Sequence, residues 1–268
     1  MGDSITMTGS GEMDNGMTIS VSYEIDNDDT GGGDVYDSHS MTLDTNGMGT
    51  ITFAGHGGSS AMSALDDVTP NGFQESWDVV TGAETGTLVG GSSGDNMFTY
   101  KSPDLGGATV TVAYLNASDA VTDKSYMDFS IVAKPEMVEG LEVGYGFGET
   151  EETTGTAIDD SALYVKYTYG SVTVGYQINE SDGPTSATDI DFTAAGISYA
   201  VTDDLTIGYS TSESDKASDS DVQEATAIGA SYTSGGITVA GSMNSVDNVG
   251  YDASADRDGY EFNISFAF

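Results

Sequence analysis

The sequence has no cysteine, which removes disulfides, thiolate nucleophiles and thiolate metal sites together. It is poor in basic residues: six lysines and arginines stand against 44 acidic side chains, a formal charge of −38, and none precedes Lys101. Nucleic-acid binding needs a lysine and arginine footprint, so that class of partner is excluded. No run of ~20 apolar residues exists, so a membrane role would have to be carried by strands. Only two histidines are present, His39 and His56, and neither lies in a recognisable catalytic motif. The opening MGDSITMTGS lacks the basic and apolar regions of a signal peptide. That predicts a processed or truncated form of a secreted chain, or a chain that is not secreted.

Glycine, by contrast, is abundant, and 15 tyrosines outnumber nine phenylalanines. Only 37% of the 268 residues are hydrophobic, too few for the dry core of a soluble sandwich of this size, and mean hydropathy is negative. A wide barrel reverses that requirement, because water fills its interior and its apolar residues face lipid. Acidity with few aromatics can also mean disorder, but here the aromatics recur at regular spacing.

Period-2 alternation between turn signals predicts fifteen strands. The first two flank Asp14-Asn15-Gly16, a strong hairpin signal, and the next two cover 38–44 and 49–54. Further strands are expected over 97–101, 108–115, 124–134, 138–147, 162–169 and 172–179. The last five are expected over 190–200, 205–212, 223–233, 237–245 and 257–268. Short Gly/Asn/Asp turns alternate with longer acidic loops at 26–37, 55–96, 116–123, 148–160, 180–189, 213–222 and 246–256. Short turns at one rim and long loops at the other describe an outer-membrane barrel, all-β and antiparallel in a single domain over 1–268. Bacterial single-chain barrels have even strand numbers, so fifteen predicts a sixteen-strand type lacking one N-terminal strand, or a short strand hidden at 84–89. The segment 55–96 breaks the pattern, and a structureless insertion of that length is most often functional. It reads as a loop folded back into the barrel to constrict it.

Two stretches resemble a known family, the general trimeric porins of Gram-negative bacteria, and within them the alphaproteobacterial, Rhodobacter-porin-like type. The first is GTITFAGHGGSSAMSALDD, a strand running through glycine into small residues and an acidic turn, where that family enters its constriction loop. The second is the C-terminus, where Tyr260, Phe262, Ile264, Phe266 and Phe268 alternate with Glu261, Asn263, Ser265 and Ala267. That pattern resembles the signal read by the barrel-assembly machinery, with Tyr260, Phe262, Phe266 and Phe268 as its aromatics. The resemblance implies a homotrimer among outer-membrane lipid and lipopolysaccharide, with a water-filled pore passing small hydrophilic solutes. It implies no enzyme activity and no required cofactor.

The resemblance also implies acidic residues on the inward loop, and the candidates are Asp66, Asp67, Glu75, Asp78 and Glu84. Strand parity places Lys101 and Lys166 on the lumen wall, with Lys124 and Lys134 nearer the rims. Glu12, Glu24, Asp44, Asp128 and Glu142 take lumen parity too, and a carboxylate-lined pore concentrates cations. Tyrosines near strand ends, such as Tyr23, Tyr100, Tyr145, Tyr199 and Tyr232, are expected in interfacial girdles. Gly9 and Gly11, with Met7 and Met13, hint at a subunit contact. Asp26, Asp28, Asp29 and Asp34 offer hard oxygen ligands suited to Ca²⁺, although the loop lacks the EF-hand spacing. Glu149, Glu151 and Glu152, or Asp215, Asp219 and Asp221, are equal candidates, as is simple solvation of acidic loops. A barrel phospholipase would need His39, whose parity points it to lipid with Met41 and Leu43. Other readings are a sugar- or nutrient-specific porin, which would carry aromatics along the lumen, and a secreted calcium-dependent adhesin, which would carry a fixed Gly/Asp repeat. Parity gives no such aromatic run, and no such repeat occurs.

Overall fold

The computed structural model describes residues 4–25, 36–56, 58–84, 93–94, 96–116, 125–151 and 157–267. Among them, fifteen strands form one antiparallel sheet in chain order. They are β1 (Ile5–Glu12), β2 (Thr18–Ile25), β3 (Tyr36–Asp44), β4 (Thr50–His56), β5 (Met97–Lys101), β6 (Ala108–Leu115), β7 (Tyr126–Ala133) and β8 (Leu141–Glu151). The remainder are β9 (Ala157–Tyr169), β10 (Val172–Asp182), β11 (Ile190–Ala200), β12 (Leu205–Lys216), β13 (Gln223–Ser234), β14 (Ile237–Asp247) and β15 (Arg257–Phe266). Every expected strand is present, and β11 has the expected bounds.

The differences lie at strand ends. β8, β9, β10 and β12 run on into stretches expected as loops: 148–151, 157–160, 180–182 and 213–216. Apart from Ala157 and Ile158 these stretches are polar on both faces, so the apolar rhythm fades while the ladder continues, with Asp159 opposite Asp182 and Asp191 opposite Asp215. A strand that has passed beyond lipid needs no apolar face, so periodicity alone ends it too early. Glu84 lies outside any strand, and the rest of the short strand expected at 84–89 lies outside the described residues.

The chain folds as two compact units. The first comprises Met1–Ala64, Gly90–Val132 and Gly146–Ala157. Its sheet exposes Met7, Tyr23, Met41, Ile51, Phe98 and Tyr100 on one face. Phe53 packs on Phe98 with ring centroids 4.9 Å apart, and His39 stacks parallel on Tyr23 at 6.0 Å, on the apolar face that parity predicted. The opposite face carries short hydroxyl side chains in cross-strand register: Ser10, Ser20, Thr42, Thr52 and Thr99 form one row over five strands. Turn chemistry holds this register. Asn15 Oδ1 accepts from Met17 N in the first hairpin, and Asp44 Oδ1 accepts from Asn46 N in the second. Gly49 adopts φ 97° against the Lys101 carbonyl, a conformation and a closeness that any Cβ would forbid.

The second unit comprises Leu65–Val89, Ala133–Tyr145 and Ile158–Phe268. Along β13, buried Gln223, Ala225 and Ala227 alternate with Glu224, Thr226 and Ile228, and Ile228 is 65% exposed. The buried face is small and polar while large apolar groups look outward, the reverse of a soluble sheet. Tyr199, Tyr209, Tyr232, Tyr260, Phe262 and Phe266 all lie on that outward face. Phe268 lies outside the described residues.

Candidate functional site

The buried face of the second unit is covered by the long insertion. Segment 65–84 lies across β10 to β15, and its backbone approaches the strands so closely that they carry glycine where it crosses. A Cβ at Gly196 would collide with the Pro70 carbonyl, and one at Gly208 with the amide of Gly72. At Gly229 a Cβ would lie 2.9 Å from Phe73 N, and at Gly259 2.9 Å from Val79 O. Gly208 and Gly229 are directly opposite each other in the ladder, so the track is continuous between those strands. Sequence reasoning missed this track, reading the glycines as general abundance. The available signal was their place in mid-strand, where glycine weakens a strand and marks close approach of another backbone.

Side chains complete the attachment. The sole tryptophan, Trp77, is 4% exposed and meets Phe192 edge-on at 5.0 Å. Ser76 and Ser212 share a hydrogen bond of 2.8 Å, and Asn244 Nδ2 donates to Glu75 O at 2.6 Å. Gln177 Nε2 donates to Leu65 O at one end of the segment. At the other end Gln223 holds Glu84 twice, accepting from its N–H at 2.8 Å and donating to its carbonyl at 3.1 Å. Arg257 Nη1 donates to Thr81 O at 2.6 Å.

In the first unit, the start of the insertion is anchored by Asp128. Ala61 N and Met62 N donate to its two oxygens at 3.1 and 2.7 Å, and Tyr126 OH donates at 3.0 Å. Asp128 was expected as an open wall carboxylate. It is instead 2% exposed, because backbone amides of the insertion lie on it. A buried carboxylate is tolerated when its lone pairs are met this way. Replacing Asp128 by Ala leaves two buried amides without an acceptor, at a cost of ~1–3 kcal/mol each. Amide exchange at Ala61 and Met62 should rise by more than tenfold, with Asp128→Asn intermediate, since one acceptor oxygen remains. Unchanged exchange in Asp128→Ala would show the anchor to be idle.

The acidic candidates divide. Asp66, Asp67, Glu75 and Asp78 are brought together on segment 65–84, near enough to act electrostatically on one another. Glu75 N donates to Asp78 Oδ2 at 3.3 Å, and Asn71 Nδ2 donates to Glu75 Oε1 at 2.7 Å. Burial, then repulsion by Asp66 and Asp78, pushes Asp67 up to about 6. Burial, the hydrogen bond with Asp78 and repulsion by Asp78 and Asp67 push Glu75 up to about 8. Asp66 is raised as well, chiefly by burial. Glu84 is set apart from them, at the Gln223 anchor.

The wall candidates divide too. Glu142 is not a free carboxylate: it bridges Lys134 at 2.9 Å and Lys166 at 3.0 Å and accepts from Tyr164 OH at 2.9 Å. Two lysines around one carboxylate leave that spot net positive. Glu24 accepts from Ser38 Oγ at 3.4 Å, Asp44 caps its turn, and Glu12 and Lys101 are exposed. Among the described residues no three acidic or histidine side chains are grouped to hold a metal ion. Asp26, Asp28, Asp29 and Asp34, with Glu152 and Lys124, lie outside the described residues.

Comparison with known proteins agrees with this geometry. The profile of the Gram-negative porin family matches residues 1–227. No curated protein sequence matches the chain. An anion-selective porin from Comamonas acidovorans is similar in structure, with TM-score 0.68, 15% identity and coverage of 99% of this chain and 89% of that one. OmpT of Vibrio cholerae, an outer membrane protein, matches with TM-score 0.67, 15% identity and coverage of 99% and 89%. A mutant of the Rh. blastica porin matches with TM-score 0.66, 16% identity and coverage of 99% and 89%.

Proposed function

The chain belongs to the Gram-negative porin family, a family of outer-membrane β-barrel channels, and we propose that it passes small hydrophilic solutes by passive diffusion with a preference for cations. The observation that carries the preference is the carboxylate cluster of Asp66, Asp67 and Asp78 on the seated insertion, to which Glu75 adds its charge above about pH 8. It acts within a chain of net charge −38 that has no lysine or arginine before Lys101. Fixed carboxylates raise the local cation concentration and lower that of anions. The fold leaves the sign open, since one structural neighbour is an anion-selective porin. The charge on the insertion is what favours cations in this reading. Glu142 consumes one of the two charges of Lys134 and Lys166, so only one positive charge from that group stands against the cluster.

A homotrimer is part of this reading, supported by the Vibrio cholerae OmpT neighbour described in a trimer form and by the small outward residues Gly9 and Gly11 on β1. Lipid and lipopolysaccharide would meet the exposed apolar faces. The assembly machinery would meet the aromatic face of β15, and Ca²⁺ remains a candidate for the acidic loops. The test is the reversal potential of reconstituted protein in a KCl gradient. A cation-side potential that shrinks as salt screens the cluster is expected. An anion-side potential would overturn the preference and leave the channel intact.

A further inference from the structure

One face of the first unit's sheet holds the start of the insertion at Met97, which packs on Ala61, and over β1 to β4 the same face is mostly hydroxyl-bearing. Ser10, Ser20, Thr42, Thr52 and Thr99 are directly opposite one another across five strands. The next row on the same face reads Thr8, Ser22 and Ser40. Thr8, Ser10, Ser20, Ser22, Ser40 and Thr42 line an open hollow of about 390 Å³, within the ~300–1,000 Å³ typical of small-molecule sites, and Thr52 and Thr99 extend the row beyond it. Lysine and arginine are absent from all four of the first strands, and Tyr23, opposite Met7, and Phe53, opposite Met41, fall on the other face. Among the described side chains of these strands, the carboxylates Glu12, Glu24 and Asp44 stand around the hydroxyl field.

We propose that this face is a weak, multi-point binding surface for neutral polyhydroxylated solutes, that is, sugars and polyols. The inference rests on the channel reading above, which makes the face opposite the apolar one the lumen wall, and it names a solute class for that channel. A hydroxyl is one donor and two acceptors, so it can meet a solute hydroxyl in either sense. Adjacent strands lie roughly 4.8 Å apart and alternate residues roughly 7 Å apart, which spreads the hydroxyls as a lattice and not as a single site. Each exchange of water for a solute hydroxyl conserves the number of hydrogen bonds, so each contact is weak. Conduction requires this balance, with enough attraction to enter and too little at any one point to hold the solute. Thr42 and Thr52 already share a hydrogen bond of 3.0 Å, which fixes both hydroxyls and leaves lone pairs for a solute. Over β1 to β4 the described side chains of this face include no cation to attract an anion and no ring on which a sugar could stack, and Lys101 enters only at its border, opposite Thr50, so hydroxyl exchange is the chemistry it offers.

The test is liposome swelling with the full chain, comparing a hexitol with tetraethylene glycol, which is of like size but poor in hydroxyls. Unmodified protein should pass the hexitol about three- to tenfold faster, corresponding to one or two net hydrogen bonds. The triple variant Ser20→Ala, Thr42→Val, Thr52→Val should bring that ratio near one while K⁺ conductance stays within about a factor of two. Thr42→Ser with Thr52→Ser keeps the hydroxyls and should keep the ratio. If the triple variant does not assemble, Ser10→Ala with Ser20→Ala, each the loss of one exposed oxygen, should still lower it. Equal rates for the two solutes in the unmodified channel, or a ratio untouched by the substitutions, would overturn the proposal while K⁺ conductance and its cation-side potential persisted. Absence of any conductance would remove the channel reading and this inference with it.

Discussion

Gly208→Ala is expected to lower single-channel conductance and to destabilise the protein, although it adds one carbon. The added Cβ would collide with the backbone of Asn71 and Gly72, not with a side chain able to turn away. Carbon and nitrogen atoms settle at ~3.5–4.0 Å, so the insertion or the strand must move by roughly 1 Å. The strand is held in the ladder on both sides, by Ser198 and by Gly229. The insertion is held by fewer hydrogen bonds and is the part that gives. Lifting it from the wall drives it into the lumen, and the narrower pore should conduct less. Overpacking of this kind costs ~1–3 kcal/mol, which should appear as a lower unfolding midpoint. Gly229→Ala should act in the same direction, and the pair should not be additive because both press on Gly72 and its neighbours. Gly11→Ala is the control, since a Cβ there meets nothing within 4 Å. Equal conductance from Gly208→Ala and the unmodified protein in planar bilayers would refute the claim that the seated insertion sets the pore.

What the sequence makes legible follows from where physics imposes a period. Lipid requires an apolar group at every second position, so the strand at 190–200 is visible to the residue, and Tyr199 and Ile197 are correctly placed outward. Past the lipid that requirement lapses, and Glu180 to Asp182 continue a strand that periodicity had ended. The insertion is legible as an interruption, but its seat is not. Glycines carry no side chain to announce a neighbour, and Asp128 receives backbone amides that any sequence could supply. Parity put Asp128 and Glu142 on the correct face. It could not say what would lie over Asp128, nor that Lys134 and Lys166 would converge on Glu142. The grouping of Asp66, Asp67, Glu75 and Asp78 was legible because the four lie within one short segment, where chain connectivity limits their separation.

Cation preference should rise with pH in two steps, near pH 6 and near pH 8. Between about pH 5 and 9 the groups expected to gain charge on the insertion are Asp67, pushed up to about 6, and Glu75, pushed up to about 8. Both are raised first by burial, so each is neutral at a pH where an exposed carboxylate is ionised. Their protonated forms are favoured in the folded segment, and the folded protein therefore holds more protons than the unfolded chain across that window. The sign of linkage follows: the contribution to the seat is fully present below the ordinary carboxylate range of roughly pH 4 and is lost as pH rises through about 8. Alkaline solution should thus give a more cation-selective and less firmly seated insertion. Reversal potentials at low salt should move further to the cation side at each step. Glu75→Gln should abolish the upper step and leave the lower in place, whereas Asp67→Asn should abolish the lower and move the upper to lower pH, because it removes part of the repulsion that raises Glu75. A potential that is flat from pH 5 to 9, or one that changes equally in the two variants, would mean that these carboxylates do not face the permeating ions, and the selectivity would then have to come from the outer acidic loops.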